Sequence, residues 1–308
     1  MRFGLCCLFK AEPVTFRTTT AKVLLALSRR DALAKASAVC LHNAENLLLA
    51  VRAVHRLGIG AFRIMSPLFP RMTHPDAGYG LDDLPQAEAI ARNMAAARDF
   101  SREHGIRLSF HPDQFVVLSS PHAHVVANSV RELEYQAFLA DMTGADVINL
   151  HAGGAYGDKA AALKRLAAVV RDLPENVISR LTLENDDVTY TVRDLLPACA
   201  DLGLPLVYDV HHHRCNPDGL DENEATDLAA ATWQGREQYC HISSPREGWN
   251  GNPKPHADHI DPADFPACWV GRTMTVDVEA KAKELAVTRL MQDLADRLET
   301  AKRGNTER

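Results

Sequence analysis

The chain has 308 residues, 46% hydrophobic and 24% charged, which is enough apolar content for a large packed core and excludes a disordered polymer. Its 34 Lys and Arg stand against 40 Asp and Glu, a formal net charge of -6, so no overall basic field marks it for nucleic acid; any attraction to phosphate needs a local patch or bound cations. Seven scattered cysteines without a C-x-x-C pair, a short apolar run in MRFGLCCLFK and no stretch of ~20 apolar residues lead us to expect reduced thiols, a cytoplasmic location and no membrane span.

In chain order, one unit recurs. RFGLCC (2–7) reads as a strand before the helical spacing of 43–58; AFRIM (61–65) precedes a helix over 84–105; IRLSFH (106–111) precedes one over 125–144. DVINLH (146–151), RLTLEN (180–185), PLVYDVH (205–211), QYCHIS (238–243) and TMTVDVE (273–279) continue the series. Leu57-Gly58, His104-Gly105 and Leu202-Gly203 supply helix stops. About eight such units predict an α/β chain folded as a single (β/α)8 TIM barrel over 1–300, and the polar residues 301–308 are expected to fray. An open doubly wound sheet is the weaker choice, because the first strand lacks a glycine-rich phosphate loop. Two Pro- and Gly-rich insertions, 66–83 and 244–262, follow the second and seventh strands and belong at the C-terminal face, where barrel enzymes build their sites.

The strand ends carry the chemistry. His111, His151, Glu184, Asp209, His241 and Glu279 close the third to eighth strands, and a barrel brings these positions to one mouth. A single such residue is more often a solvated or hydrogen-bonded group. Six in succession predict a multinuclear divalent-metal site, because clustered buried carboxylates need cations. Of the three histidines after Asp209, the spacing favours His212 for the site, with His211 and His213 outside it. His256 and Asp258 of the second insertion are candidates to close a further ion. Cys215 and Cys240 read as small buried hydrophobes. No G-x-S-x-G motif or thiol with an evident base supports a protein nucleophile.

FRIMSPLFPRMTH, LSFHPDQF, INLHAGG, LTLEND, YDVHHH, HISS, HADHI and VEAKAKE, in that order, resemble the UV damage endonucleases, barrel enzymes akin to endonuclease IV. The resemblance implies a DNA repair enzyme that cuts the phosphodiester 5′ to a lesion in double-stranded DNA with two to three divalent ions, manganese foremost and zinc or iron as alternatives. It implies that His111, His151 and Glu184 hold one ion, Glu184, Asp209, His241 and Glu279 a second, and His212 and His256 a third, with His74 near the cluster. It also implies that catalysis depends on the carboxylates of Glu184, Asp209 and Glu279. Gln114 and Phe115 match the pair that inserts into the duplex. Lys254, Arg63 and Arg71 are candidates for phosphate contacts.

The chain departs from the family pattern at four places. Leu5 follows Gly4 where the family has tyrosine, Phe9 stands near an asparagine position, Tyr239 and Cys240 precede His241 where a lysine is usual, and Phe115 replaces tyrosine. These changes predict altered lesion choice with hydrolysis retained. Competing classes are a xylose-isomerase-like sugar isomerase or epimerase, an iron-dependent peptide-modifying enzyme, and a DNA-binding or metal-storing protein without turnover. No oligomer is implied.

Overall fold

Eight short apolar runs pair side by side in chain order and close on themselves. In the computed structural model, which describes residues 1–299, β1 (Arg2–Cys6), β2 (Ala61–Ile64), β3 (Arg107–Phe110), β4 (Val147–His151), β5 (Leu181–Glu184), β6 (Leu206–Asp209), β7 (Gln238–Ile242) and β8 (Met274–Val278) form a closed barrel. Every pairing is parallel, and β8 returns to β1. The strands are apolar with little alternation because packed side chains fill one face and helices cover the other. The expected TIM barrel is therefore the fold. The tail over 301–308 lies outside the described residues.

The helices are α1 (Ala21–Leu25), α2 (Arg29–Arg56), α3 (Ala87–Glu103), α4 (Ala123–Thr143), α5 (Lys159–Arg171), α6 (Glu175–Ile178), α7 (Val192–Leu202), α8 (Val210–Cys215), α9 (Glu222–Thr232) and α10 (Glu284–Asp293). The first long helix starts well before residue 43, because the Ser28 hydroxyl caps it by accepting from Asp31 N. The sixth strand is shorter than expected. It stops at Asp209, whose carboxylate accepts from His212 N at 2.8 Å and starts α8, so the three histidines ride on a helical turn. Among the described residues no helix is long and apolar enough to cross a membrane, and all seven cysteines are free thiols.

Arg107 closes the floor of the barrel. Its guanidinium donates to both carboxylate oxygens of Asp146 and lies over the rings of Tyr239 and Trp233, at 4.9 and 5.4 Å from their centroids. At the other end, the buried carboxylate of Glu284 accepts from Lys10 N at 2.8 Å and from Ala11 N, tying the loop after β1 to the start of α10.

One interior position admits only glycine. A Cβ on Gly4 would overlap Asp277 Oδ1 and stand 3.3 Å from Ala61 Cβ. Gly4→Ala is therefore expected to destabilise the chain by about 1–3 kcal/mol, the usual cost of overpacking a filled core. Urea unfolding should show a lower midpoint, and an unchanged midpoint would contradict this packing.

Candidate metal centre

Glu184 ends β5 at the centre of the mouth and is 1% exposed. His111, immediately after β3, places Nε2 3.0 Å from Glu184 Oε2; His151, ending β4, places Nε2 3.9 Å from the same oxygen. On the other side, His241 Nδ1 and His212 Nδ1 lie 3.2 and 3.3 Å from Glu184 Oε1. Asp209 Oδ2, fully buried at the end of β6, is 3.4 Å from His212 Nδ1 and 4.0 Å from His241 Nδ1. Glu279, one residue beyond β8, approaches His241 Nδ1 at 3.6 Å and His256 Nδ1 at 3.7 Å.

Two groups have their donor atoms close enough to share an ion: His111, His151 and Glu184, and Glu184, Asp209 and His212, each set within 4.8 Å. The donor chemistry fits. Neutral imidazoles with carboxylates suit zinc, manganese or iron. Glu184 Oε1, Asp209 Oδ2, His151 Nδ1 and His241 Nδ1 are buried without a hydrogen-bond partner among the described residues, a state that costs free energy unless something else satisfies them.

The charges are mutually arranged. Burial pushes the Glu184 carboxyl up, but His241 and His151, with His111 and His212 against its two oxygens, outweigh it and hold the acid well below its usual range. Burial pushes His241 down, and the carboxylates of Glu184 and Glu279 more than reverse this, raising it to about 9. His212 is likewise raised by Asp209 and Glu184 against burial, while burial leaves His111 lowered. Glu279 is held low despite burial by Arg63, whose Nη1 donates to Glu279 Oε1 at 2.7 Å, and by His241.

Several expected placements are corrected. His74 is in neither of the two close donor groups: its Nδ1 accepts from Asp76 N and Ala77 N, both at 3.1 Å, capping a turn in the β2 insertion. It lines a separate cavity of about 520 Å³ with Arg71, Phe115 and Arg131. Asp258 is exposed and enters the structure through its backbone, which accepts from Ala282 N at 2.9 Å. His256 does reach the mouth, beside Glu279 and Ser243 Oγ. His211 and His213, expected outside the site, are buried beside it. His213 Nδ1 pairs with Tyr208 Oη at 2.6 Å, whereas His211 packs 5.2 Å from the His256 ring with its Nε2 unpartnered.

Arg63 is a strand residue paired to Glu279, and Lys254 Nζ pairs with Asp187 at 3.1 Å, so neither is a free phosphate contact. Arg71 remains at the cavity wall, its Nε donating to Thr19 O at 3.3 Å. Gln114 and Phe115 sit at a turn set by Asp113, whose Oδ1 accepts from Phe115 N, and Phe115 is 77% exposed. Leu5 is core, Phe9 packs on Phe62, and Tyr239 bonds Asp277 Oδ1 at 2.9 Å beneath the cluster.

Sequence reasoning missed four supporting residues. Asn149 Nδ2 donates to Glu184 Oε2, and its Oδ1 accepts from Thr182 Oγ1 at 2.9 Å; alternation along β4, two residues before His151, was the available signal. Asn185 clamps β5 to β6, donating to Asp209 O at 2.8 Å and accepting from Asp209 N at 3.0 Å. Lys281 and Lys283 line a cleft of about 260 Å³ with Arg63, His256 and Glu279.

Fold and site together define a TIM barrel with a buried carboxylate–imidazole centre at its C-terminal mouth. A family model described as UV-endonuclease UvdE matches residues 1–307. The UV DNA damage endonuclease of Bacillus velezensis is 34% identical over 311 residues, covering 96% of this chain and 94% of that one. The crystal structure of SacUVDE superposes with a TM-score of 0.84 at 28% identity, covering 96% and 98% of the two chains. Endonuclease IV from Thermus thermophilus shares the fold, with a TM-score of 0.62 at 17% identity over 97% of this chain and 100% of that one. The chain belongs to the UV-endonuclease family.

Because Asn149 orients Glu184, Asn149→Leu is expected to weaken divalent-ion binding by about 10–100-fold, the usual effect of removing a ligand's supporting hydrogen bond. Equilibrium dialysis against manganese checks this. Wild-type affinity in the variant would show that Asn149 does not support the site.

Proposed function

We propose that the chain is a metal-dependent DNA repair endonuclease that hydrolyses the phosphodiester on the 5′ side of a UV-induced or other lesion, using two to three divalent ions, manganese foremost. The observation that carries this reading is Glu184, buried and shared among four imidazoles, with unpartnered oxygen and nitrogen atoms around it. Membership of the UV-endonuclease family supports the choice of DNA over a sugar or peptide substrate.

Divalent ions bound at the cluster would supply an activated water and offset the charge that develops on the phosphate. His111, His151 and Glu184 would hold one ion, Glu184, Asp209, His241 and Glu279 a second, and His212 and His256 a third. Arg63 keeps Glu279 ionised and fixed in place. Lys281 and Lys283, beside the cleft at Glu279, are placed to meet a phosphate as point charges. Gln114 and Phe115 act as the wedge at the lesion: unstacking a base costs a few kcal/mol, least at a damaged pair, and an aromatic face recovers about 1–3 kcal/mol of it.

Metal-loaded protein should nick duplexes carrying a pyrimidine dimer or an abasic site on the 5′ side and leave intact duplex whole. Failure on every damaged duplex, with turnover of a sugar or peptide, would overturn the reading.

Two variants separate the parts. Glu184→Ala should lose ions and nicking together, whereas Phe115→Ala should keep its ions and cut damaged duplex about tenfold more slowly, in line with one lost stacking contact. Metal analysis beside the nicking rate reads both. Retained ions in Glu184→Ala, or full cutting by Phe115→Ala, would show that the roles are misassigned.

A further inference from the structure

Exposed large apolar side chains gather on the loops at the mouth: Leu8, Phe115, Tyr156, Val188 and Trp249. Trp249 differs from the others in being built into place. It lies at the tip of the β7 insertion, a hairpin whose stem pairs Pro245 with His256 in antiparallel fashion and joins Arg246 N to Pro255 O at 2.7 Å. The indole folds back from that tip toward the cluster. Its Nε1 donates to Asp264 Oδ1 at 2.7 Å, its ring lies 5.3 Å from that of His211, and the Arg214 guanidinium stands 5.5 Å from its centroid.

The anchors are themselves anchored. Asp264 is buried and accepts from Ser244 Oγ, while Arg214 donates to Glu222 at 2.8 Å. Yet Trp249 stays 40% exposed, while Trp233 and Trp269 are 1% and 0% exposed. A large aromatic ring fixed by a polar network but left open to solvent has already lost its rotamer freedom, which is what a rigid contact residue requires.

Its place in the barrel gives the contact a direction. Trp249 follows β7 and Phe115 follows β3, and strands four apart in a closed eight-stranded order lie on opposite sides of the mouth. The carboxylate–imidazole cluster lies between them. Phe115, 77% exposed, is the free aromatic; Trp249 is the fixed one.

We propose that Trp249 is a second nucleobase-stacking platform, held rigid across the metal centre from Phe115 and taking the face of a base unstacked from the duplex. The proposal rests on the endonuclease reading and adds a contact that this reading does not need. Base–aromatic stacking tolerates any base, so the platform strengthens binding of opened DNA without selecting sequence.

Trp249 is the exposed indole of three, so its emission reports its own surface. On stopped-flow mixing of metal-loaded protein with a duplex bearing an abasic site, tryptophan emission should fall before nicking and the fall should vanish in Trp249→Phe. Trp249→Ala should raise the Kd for that duplex about tenfold, as expected for one lost stacked base. Trp249→Phe, which keeps an aromatic face, should raise it less. Circular dichroism and ion content matching wild type establish that both variants are folded. Nicking and binding by wild type with no emission change, or Trp249→Ala binding as tightly as wild type, overturns the platform while leaving the endonuclease reading intact. Wild type that neither binds nor nicks the duplex overturns both.

Discussion

The structure turns on one buried carboxylate. Glu184 is 1% exposed, and removing a carboxylate from water costs several kcal/mol unless positive charge meets it. Four histidines and Asn149 converge on its two oxygens, and the oppositely signed groups shift one another: the acid is held low, while His212 and His241 are held high. The barrel makes this convergence possible because parallel strands deliver their C-terminal residues to one mouth. The short α8 begins where it does because Asp209 both caps it and faces the cluster.

The loops inherit their positions from the same centre. Ser66 Oγ donates to His111 O at 2.6 Å, fixing the β2 insertion against the β3 end. Ser243 bridges toward His256 and donates to Glu279 O, joining the β7 insertion to the β8 end. Gly153, at φ +84, lets the β4 loop lie against Val117 and Ser119, since a Cβ there would fall 2.6 Å from Val117 Cγ1. The segments that carry Phe115 and Trp249 are thus tied to the elements that carry the candidate ligands.

The barrel and most of the cluster were legible because both rest on local pattern. A strand ending in a histidine or carboxylate reveals itself by position, and Glu184, Asp209, His212, His241 and Glu279 meet in space as that pattern implied. What escaped depends on contacts between distant segments. Arg63 read as a candidate phosphate contact, yet it is largely covered and paired with Glu279, a residue from the far end of the chain. His74 and Asp258 carried suitable side chains, but local turns claim one and leave the other facing solvent. Asn149 and Asp264 are buried polar residues whose partners no spacing rule supplies.

If Glu184 organises the carboxylate–imidazole cluster as a metal site, crystals soaked in manganese and measured for anomalous scattering will reveal the ions themselves. One peak is expected among His111, His151 and Glu184 and another between Glu184 and Asp209, both in contact with Glu184. Density that shows no anomalous peak at Glu184, with the side chains arranged as described, would contradict a metal site there.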